Sequence, residues 1–468
     1  MHSDCTSGAC KRPVRSASGA AARSKRWQCQ RSGVPQLQSL SERLRTSLWF
    51  VPALFVVAAV VLGAALVSVD HALAAEPGAL FFVYSGSEEG ARSVLSVIAQ
   101  SMLTFTGLVF SITMLVLQLA SSQLSPRVMR TFLRDRANQA VLGLFVATFV
   151  FTLVVLREVR SATDATARFI PGISVFVAFG LLLASVGAFV YYIDHMAQAI
   201  RASTVIRNIW QETVEAIERL YPERLGHEPG DATRFPVDEP PVATLKAQRA
   251  GHVVGVAAEE LLDAATGDRR LELIPSVGDF VAEDAPLVAL WGSWDRAAAD
   301  SVRSAIAIGR ERTLAQDAAF GFRQLVDVAV RALSPGTNDP TTAVQALDRL
   351  HDLLRRTATR KIPSPVRSHE GRPRLLVHRP DWDDYVHLAL DEIRLSGQSQ
   401  LQVERRIRAI LLDLLAVAPP ERQAVLRDEL QRLDAAAERA YPNTADRAQA
   451  AVPSLRGHAL ATRLRRGR

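Results

Sequence analysis

The chain has 468 residues, enough for two or three domains, with 48% hydrophobic residues and a mean hydropathy of +0.09. Its formal net charge is +7, but residues 1–47 hold nine Lys/Arg against Asp4 and Glu42, so this leader alone carries +7 and the remainder is balanced. The surplus therefore does not point to nucleic acid; basic residues ahead of a first membrane span are what orientation requires. The only cysteines, Cys5, Cys10 and Cys29, fall in the leader. That excludes a disulfide framework in the folded part, and their spacing with His2 matches no zinc finger.

Residues 1–38 are rich in Ser, Ala and Arg without apolar periodicity and read as a disordered basic leader. They do not read as a cleaved signal, because the apolar run that follows is too long and has no small-residue cleavage site. Residues 48–69 give 22 uncharged positions, a first span. A bilayer needs about 20 apolar residues at about 1.5 Å each. A short loop over 70–90 carries Asp70, Glu76, Glu88 and Glu89.

The second span, 93–119, has no charged residue but is less apolar than a simple anchor. Ser93, Ser96, Gln100, Thr104, Gly107, Ser111 and Gln118 recur at spacings of three, four or seven and share one helical face, while Leu95, Val97, Leu103, Val109 and Ile112 are among those that fill the rest. Two readings of the stripe stand. Small and hydroxylated residues let membrane helices pack closely. Alternatively, neutral dipoles line an aqueous path in an oligomer.

The connection over 120–139 carries Arg127, Arg130, Arg134 and Arg136 against Asp135. Residues 140–156 form a third span with an amphipathic lead-in. Residues 169–193 form a fourth, whose Gly172, Gly180, Ser185 and Gly187 suggest close packing and whose Tyr191 and Tyr192 suit an interfacial belt. The basic leader and the basic 120–139 loop place both termini and the middle loop in the cytoplasm, against the weaker opposing signal of Arg157, Arg160 and Arg168. The transmembrane domain is thus expected over 39–200.

Past Ile193 the apolar spacing predicts a continuing amphipathic helix to about Leu220, within a juxtamembrane helix and linker over 201–248. His195 beside Asp194 is either a proton or ligand site at the membrane edge or simply an interfacial polar residue. Proline-rich sequence over 226–246 reads as linker. A small β subdomain is expected over 249–292, with strands near 252–257, 270–273 and 287–291 broken by Gly267-Asp268 and Gly278-Asp279. Its turn pattern is like that of the barrel-sandwich carriers of biotin and lipoate, but no lysine lies in 250–291 to be modified. From 293 to 445 the chain reads as helical, with 355–380 as a basic loop, followed by a basic tail over 446–468.

No hydrolase elbow, Walker loop, dinucleotide fingerprint or HExxH occurs, so neither an enzyme nor a cofactor is expected. Asp381, Asp383 and Asp384 resemble a metal cluster, yet suit helix caps better, and no metal site is assigned. The segment Ser334 to Thr342 is the most distinctive. It either binds a small anion at the start of the next helix or is a rigid turn in which Asp339 caps that helix and Pro340 opens it.

Three stretches, LQLASSQLSPR (117–127), YYIDHMAQAI (191–200) and AFGFRQLVDVAVRALSPGTNDPTTAVQALDRL (319–350), resemble a bacterial inner-membrane family, domain of unknown function number twenty-two fifty-four. The resemblance covers about residues 40–440. It implies a four-span membrane half and a cytoplasmic half but supplies no catalytic residues. Its motif positions are Gln123, Ser125, Pro126, Arg127, His195, Ser334, Pro335, Asn338, Asp339 and Pro340.

The expectation is an α-helical membrane protein with a cytoplasmic α+β region, multi-pass in the inner membrane. Its partners are the lipid bilayer, further copies of itself and a small ion or solute, with no nucleic acid. The best class is an oligomeric channel or transport protein regulated by its cytoplasmic part. The alternative is a non-conducting scaffold or sensor.

Overall fold

Inside hydrocarbon only a helix satisfies every backbone group of a single segment, so long uncharged runs must coil. The computed structural model describes residues 50–73, 87–123, 135–160, 169–199, 201–225, 235–236 and 239–453. The leader with its cysteines, Glu76, the basic residues Arg127, Arg130 and Arg134, the motif positions Ser125 and Pro126, and the terminal arginine-rich tail lie outside these described residues, as does the side chain of Gln123. Among the described residues four helices are long and apolar enough to cross a membrane: α1 (Phe50–Leu73), α2 (Glu88–Gln123), α3 (Arg136–Glu158) and α4 (Gly172–Ala199).

The third span is longer than its apolar run, because Asp135 caps it, accepting from the Ala137 amide at 2.9 Å. Helix α3 is the centre of the bundle: half of its span is buried, against 22–28% in the other three. Phe145, Phe151 and Val155 are fully buried there, beside Leu95, Ile98 and Met102 of α2 and Ala178 of α4.

Close approach in the bundle comes from glycines of α1 and α3. A β-carbon on Gly63 would stand 3.0 Å from Val154, and one on Gly143 would stand 3.1 Å from the Phe55 ring. The expected close packing at Gly180 and Gly187 of α4 does not occur among the described residues, since a β-carbon at either position would meet nothing within 4 Å. Tyr192 also departs from the interfacial expectation. It is 1% exposed and shares a 2.7 Å hydrogen bond with the Thr113 hydroxyl, tying α4 to α2, whereas Tyr191 is exposed. Asp70 at the end of α1 caps α4, accepting from the amides of Ile173 and Ser174 at 2.9 and 3.0 Å and from the Ser174 hydroxyl at 2.6 Å.

The predicted continuous helix out of the membrane is broken. Helix α4 ends at Ala199, Arg201 has an extended ψ of 124°, and α5 (Ala202–Leu220) starts anew. Helix α5 buries Val205, Ile206, Ile209, Thr213, Ala216 and Ile217 at spacings of one helical turn.

The β region follows: β1 (Ala243–Lys246), β2 (Gly251–Val256), α6 (Ala258–Ala264), β3 (Arg270–Leu273), β4 (Phe280–Val281), β5 (Pro286–Trp291), α7 (Arg296–Ser304) and β6 (Ile306–Gly309). Then come α8 (Ala318–Ala332), α9 (Pro340–Ala358), β7 (Val366–His369), β8 (Arg372–Val377), α10 (Trp382–Ser396), α11 (Leu401–Val417), α12 (Gln423–Ala440) and α13 (Thr444–Ala450). One sheet has the order β1-β5-β3-β8-β7, with β3 and β8 parallel; the other has the order β4-β2-β6.

The β structure is therefore not confined to 249–292. Strand β1 comes from the expected linker, β6 from a stretch read as helix, and β7 and β8 from a stretch read as loop. Residues 306–309 are too few to display a period, and Leu375-Leu376-Val377 is a short apolar run that its partners β3 and β7 reveal as strand. Helices α5 and α8 to α12 share a second core, including Phe322, Leu350, Tyr385, Ile407 and Leu411.

Candidate functional site

At about 100° per residue, the stripe on α2 falls within roughly 80° of arc, and the buried residues of the same helix lie on the opposite side. Ala91, Leu95, Ile98, Met102, Val109 and Val116 face α3 and α4 and are buried. Ser93, Ser96, Gln100, Thr104, Gly107, Ser111 and Gln118 are all exposed. Packing among the described residues thus does not use the stripe.

Its chemistry is that of an unfilled polar face. The Thr104 and Ser111 hydroxyls fold back onto the carbonyls of Gln100 and Gly107 at 3.0 and 2.9 Å. Among the described residues, the side chains of Ser93, Ser96, Gln100 and Gln118 have no hydrogen-bond partner, and a β-carbon on Gly107 would meet nothing within 4 Å. Exposed Val97, Leu103, Leu108 and Leu115 flank the stripe. A primary amide left unpaired in hydrocarbon costs about 2–7 kcal/mol, so this face suits water or another protein surface better than lipid.

At one end of the bundle, the imidazole of His195 Nε2 bonds Asp135 Oδ2 rather than its neighbour Asp194, whose carboxylate accepts from Gln198 at 2.7 Å. Because Asp135 also caps α3, the pair joins the end of α4 to the start of α3.

The Ser334 to Thr342 segment is a tightly bonded turn. Ser334 donates to the Arg331 carbonyl (2.7 Å), Asn338 sits at φ 46° and its side-chain oxygen accepts from Gln400 (3.2 Å). Asp339 accepts from the amides of Thr341 and Thr342 (both 3.1 Å) and from the Thr342 hydroxyl (2.6 Å), and these bonds hold its carboxyl below the usual range. Pro340 is the first residue of α9. The amides that an anion would need are taken by Asp339. Likewise Asp381 and Asp384 form a capping box at the start of α10.

The described residues bring one metal-like donor set together: His387 and Asp391 on α10 with Glu429 on α12, their donor atoms within 4.8 Å of one another. Arg432 lies 3.1 Å from Glu429, and Arg394 lies 3.0 Å from Asp391 and 3.4 Å from Glu429. Two guanidinium groups already neutralise these carboxylates, which makes the cluster an ion-pair network.

A cleft of two lobes, about 220 and 430 Å³, opens where β structure meets the helices. Both lobes are lined by Val277, Asp317, His378, Arg379 and Pro380. Deep in it, the Tyr221 and Tyr385 hydroxyls share a 2.8 Å hydrogen bond, and burial pushes Tyr385 well above its ordinary value. Burial raises the Asp317 carboxyl despite the opposing charge of Arg312, which bonds it at 2.8 Å. Burial, then the like charge of Arg367, pulls the Arg379 guanidinium down. Sequence reading missed this cleft, because its residues come from five separate stretches; the only local signal is Arg379-Pro380 directly ahead of the capped α10.

The sequence profile described as "Predicted membrane protein (DUF2254)" matches residues 45–413. The uncharacterized proteins Rv1290c of Mycobacterium tuberculosis and Mb1321c of Mycobacterium bovis are each 32% identical over 433 residues, covering 88% of this chain and 80% of theirs. No solved structure matches the chain. With four helices able to cross a membrane and a profile spanning most of its length, the chain belongs to the DUF2254 family of predicted membrane proteins.

Proposed function

We propose that this membrane protein is a homo-oligomer in the inner membrane whose α2 polar faces meet between copies and line a path for a small ion or solute. The observation that carries this reading is the outward direction of all seven stripe positions, on the side of α2 opposite its buried residues Leu95, Ile98, Met102, Val109 and Val116. A seven-residue recurrence such as Ser93, Gln100, Gly107 is the period at which helices of neighbouring copies cross and stay in register. A second outward face of small residues on α4, Gly180, Ala184 and Gly187, offers another close contact between copies. The excess of Lys/Arg in the leader and in the 120–139 connection supports cytoplasmic termini, which puts the β and helical parts in the cytoplasm as a regulatory unit.

Ion flux through purified protein in liposomes tests the reading. Conductance that falls when Gln100→Leu and Thr104→Leu are combined supports it; a conductance unchanged by both substitutions overturns the pore. A second reading, a non-conducting scaffold or sensor, is favoured by the cleft at Arg379 and gains ground if the reconstituted oligomer is silent.

A further inference from the structure

The cleft between the β region and the helices contains cationic and hydroxyl donors that the protein itself does not use. Arg379 is half-buried, and among the described residues no hydrogen bond or ion pair reaches it. Each acidic neighbour lining or adjoining the cleft is already engaged. Asp317 is held by Arg312 (2.8 Å) and the Phe320 amide (3.1 Å), and Asp279 accepts from the Ser276 amide (2.9 Å). Asp384 accepts from the Asp381 amide (3.0 Å), and Glu272 bonds His378 (2.8 Å). The charge of another cation, Arg367, also acts on Arg379.

The tyrosine pair adds a second donor. Two hydroxyls joined by one hydrogen bond use one of their two protons, so one O–H remains to be given. Both tyrosines are within the electrostatic reach of Arg379, and both are buried, at 3% and 1% exposure. A buried donor without an acceptor is unfavourable by about 1–3 kcal/mol, more when it is charged. A wall made of a guanidinium and a spare hydroxyl calls for an acceptor that carries negative charge.

We propose that this cleft binds a small oxyanion, a phosphate or carboxylate group, held by Arg379 and by the spare proton of the Tyr221–Tyr385 pair. Its body lies against Val256, Val277 and Pro380. Asp279 and Asp384 at the outer lobe repel polyanions, which restricts the ligand to one bearing a single such group. The site also explains how occupancy is felt elsewhere. Tyr221 is the residue at which α5 stops, and α5 begins just after the last membrane helix. An anion that fixes Tyr221 therefore fixes the end of the helix leading out of the membrane. This inference does not depend on α2 lining a path.

The test is calorimetric titration of the full chain in detergent, at constant ionic strength, with inorganic phosphate and separately with butyrate. Saturable binding of either anion is expected, weakened about tenfold or more in Arg379→Gln and severalfold in Tyr385→Phe. The same affinity as wild type is expected in Arg439→Gln, an exposed control outside the cleft. Arg379→Gln removes an unpaired, half-buried charge, so its melting temperature is expected to equal or exceed wild type, which separates lost binding from lost fold. Which anion binds more tightly tells phosphate from carboxylate. The proposal is overturned if neither anion binds saturably in the millimolar range, or if Arg379→Gln binds as well as wild type.

Discussion

Gly321 and Thr213 are in such close contact that a β-carbon on Gly321 would lie 1.9 Å from the Thr213 hydroxyl oxygen and 2.7 Å from its methyl. Gly321 is on α8, and Thr213 is fully buried on α5, where its hydroxyl donates to the Ile209 carbonyl at 2.6 Å. The helix that follows the fourth apolar helix is thus pressed onto the helical bundle of α8 to α12 at a glycine. Alanine at a helix interior ordinarily gains up to about 1 kcal/mol over glycine. Here the clash outweighs that gain, and Gly321→Ala is expected to destabilise by about 1–3 kcal/mol. Thermal unfolding in detergent checks it, with Thr213→Ala added to the variant restoring only part of the loss, because the β-carbon at position 213 would still stand 2.8 Å away. A single Gly321→Ala more stable than wild type contradicts this packing.

Asp70 holds the start of α4 through three hydrogen bonds. Replacing a helix-capping carboxylate by alanine costs about 0.5–2 kcal/mol. Asp70→Ala is expected at the upper end, since the cap also fastens α1 to α4, and Asp70→Asn, with one acceptor oxygen where both carboxylate oxygens now accept, is expected to keep only part of the stability. Equal melting temperatures for wild type and Asp70→Ala would refute the cap.

The same reasoning applies to Asp339, which occupies the first amides of α9. Asp339→Ala is expected to lower stability by about 0.5–2 kcal/mol, and Asp339→Ser to recover part of it. If Asp339→Ala instead left stability untouched, the turn would not be what fixes these residues.

Acid should loosen the helical bundle at Asp413. His351 (2.9 Å), then Arg355 (2.5 Å), hydrogen-bond its carboxylate and hold it down to about 2. The unfolded chain has the usual carboxylate value of about 3.9. The folded value is depressed, so the stabilisation is complete above the unfolded value and is lost as pH falls from about 4 through about 2. Asp413→Asn is expected to lower stability at neutral pH and to flatten the pH dependence in that window. Melting curves at a series of acidic pH values report both, and an unchanged slope in Asp413→Asn would contradict the assignment.

Part of this architecture was legible in the sequence because it is written in short-range patterns. Uncharged runs gave the four spans, and the Asp339-Pro340 and Asp381 signatures gave the starts of α9 and α10. The polar face of α2 was visible as a period, but its direction was not, because a period says which residues share a face and not what that face meets. Strands β6, β7 and β8 were missed because four to six residues carry too little periodicity; β6 and β8 also pair with the distant β2 and β3, while the four-residue β7 pairs with its neighbour β8. The Arg379 cleft was invisible for the same reason: Tyr221 and Tyr385 are 164 positions apart and meet only in the fold.

Disulfide trapping in native membranes tests most directly the proposal that the α2 stripe faces other copies of the chain. In a background with Cys5, Cys10 and Cys29 replaced by serine, single cysteines are placed at Ser96, Gln100, Gly107 and Ser111 and, as controls, at the buried Ile98 and Met102. Oxidation is predicted to give covalent dimers from the stripe positions and none from the controls. Monomers at every stripe position would contradict the account.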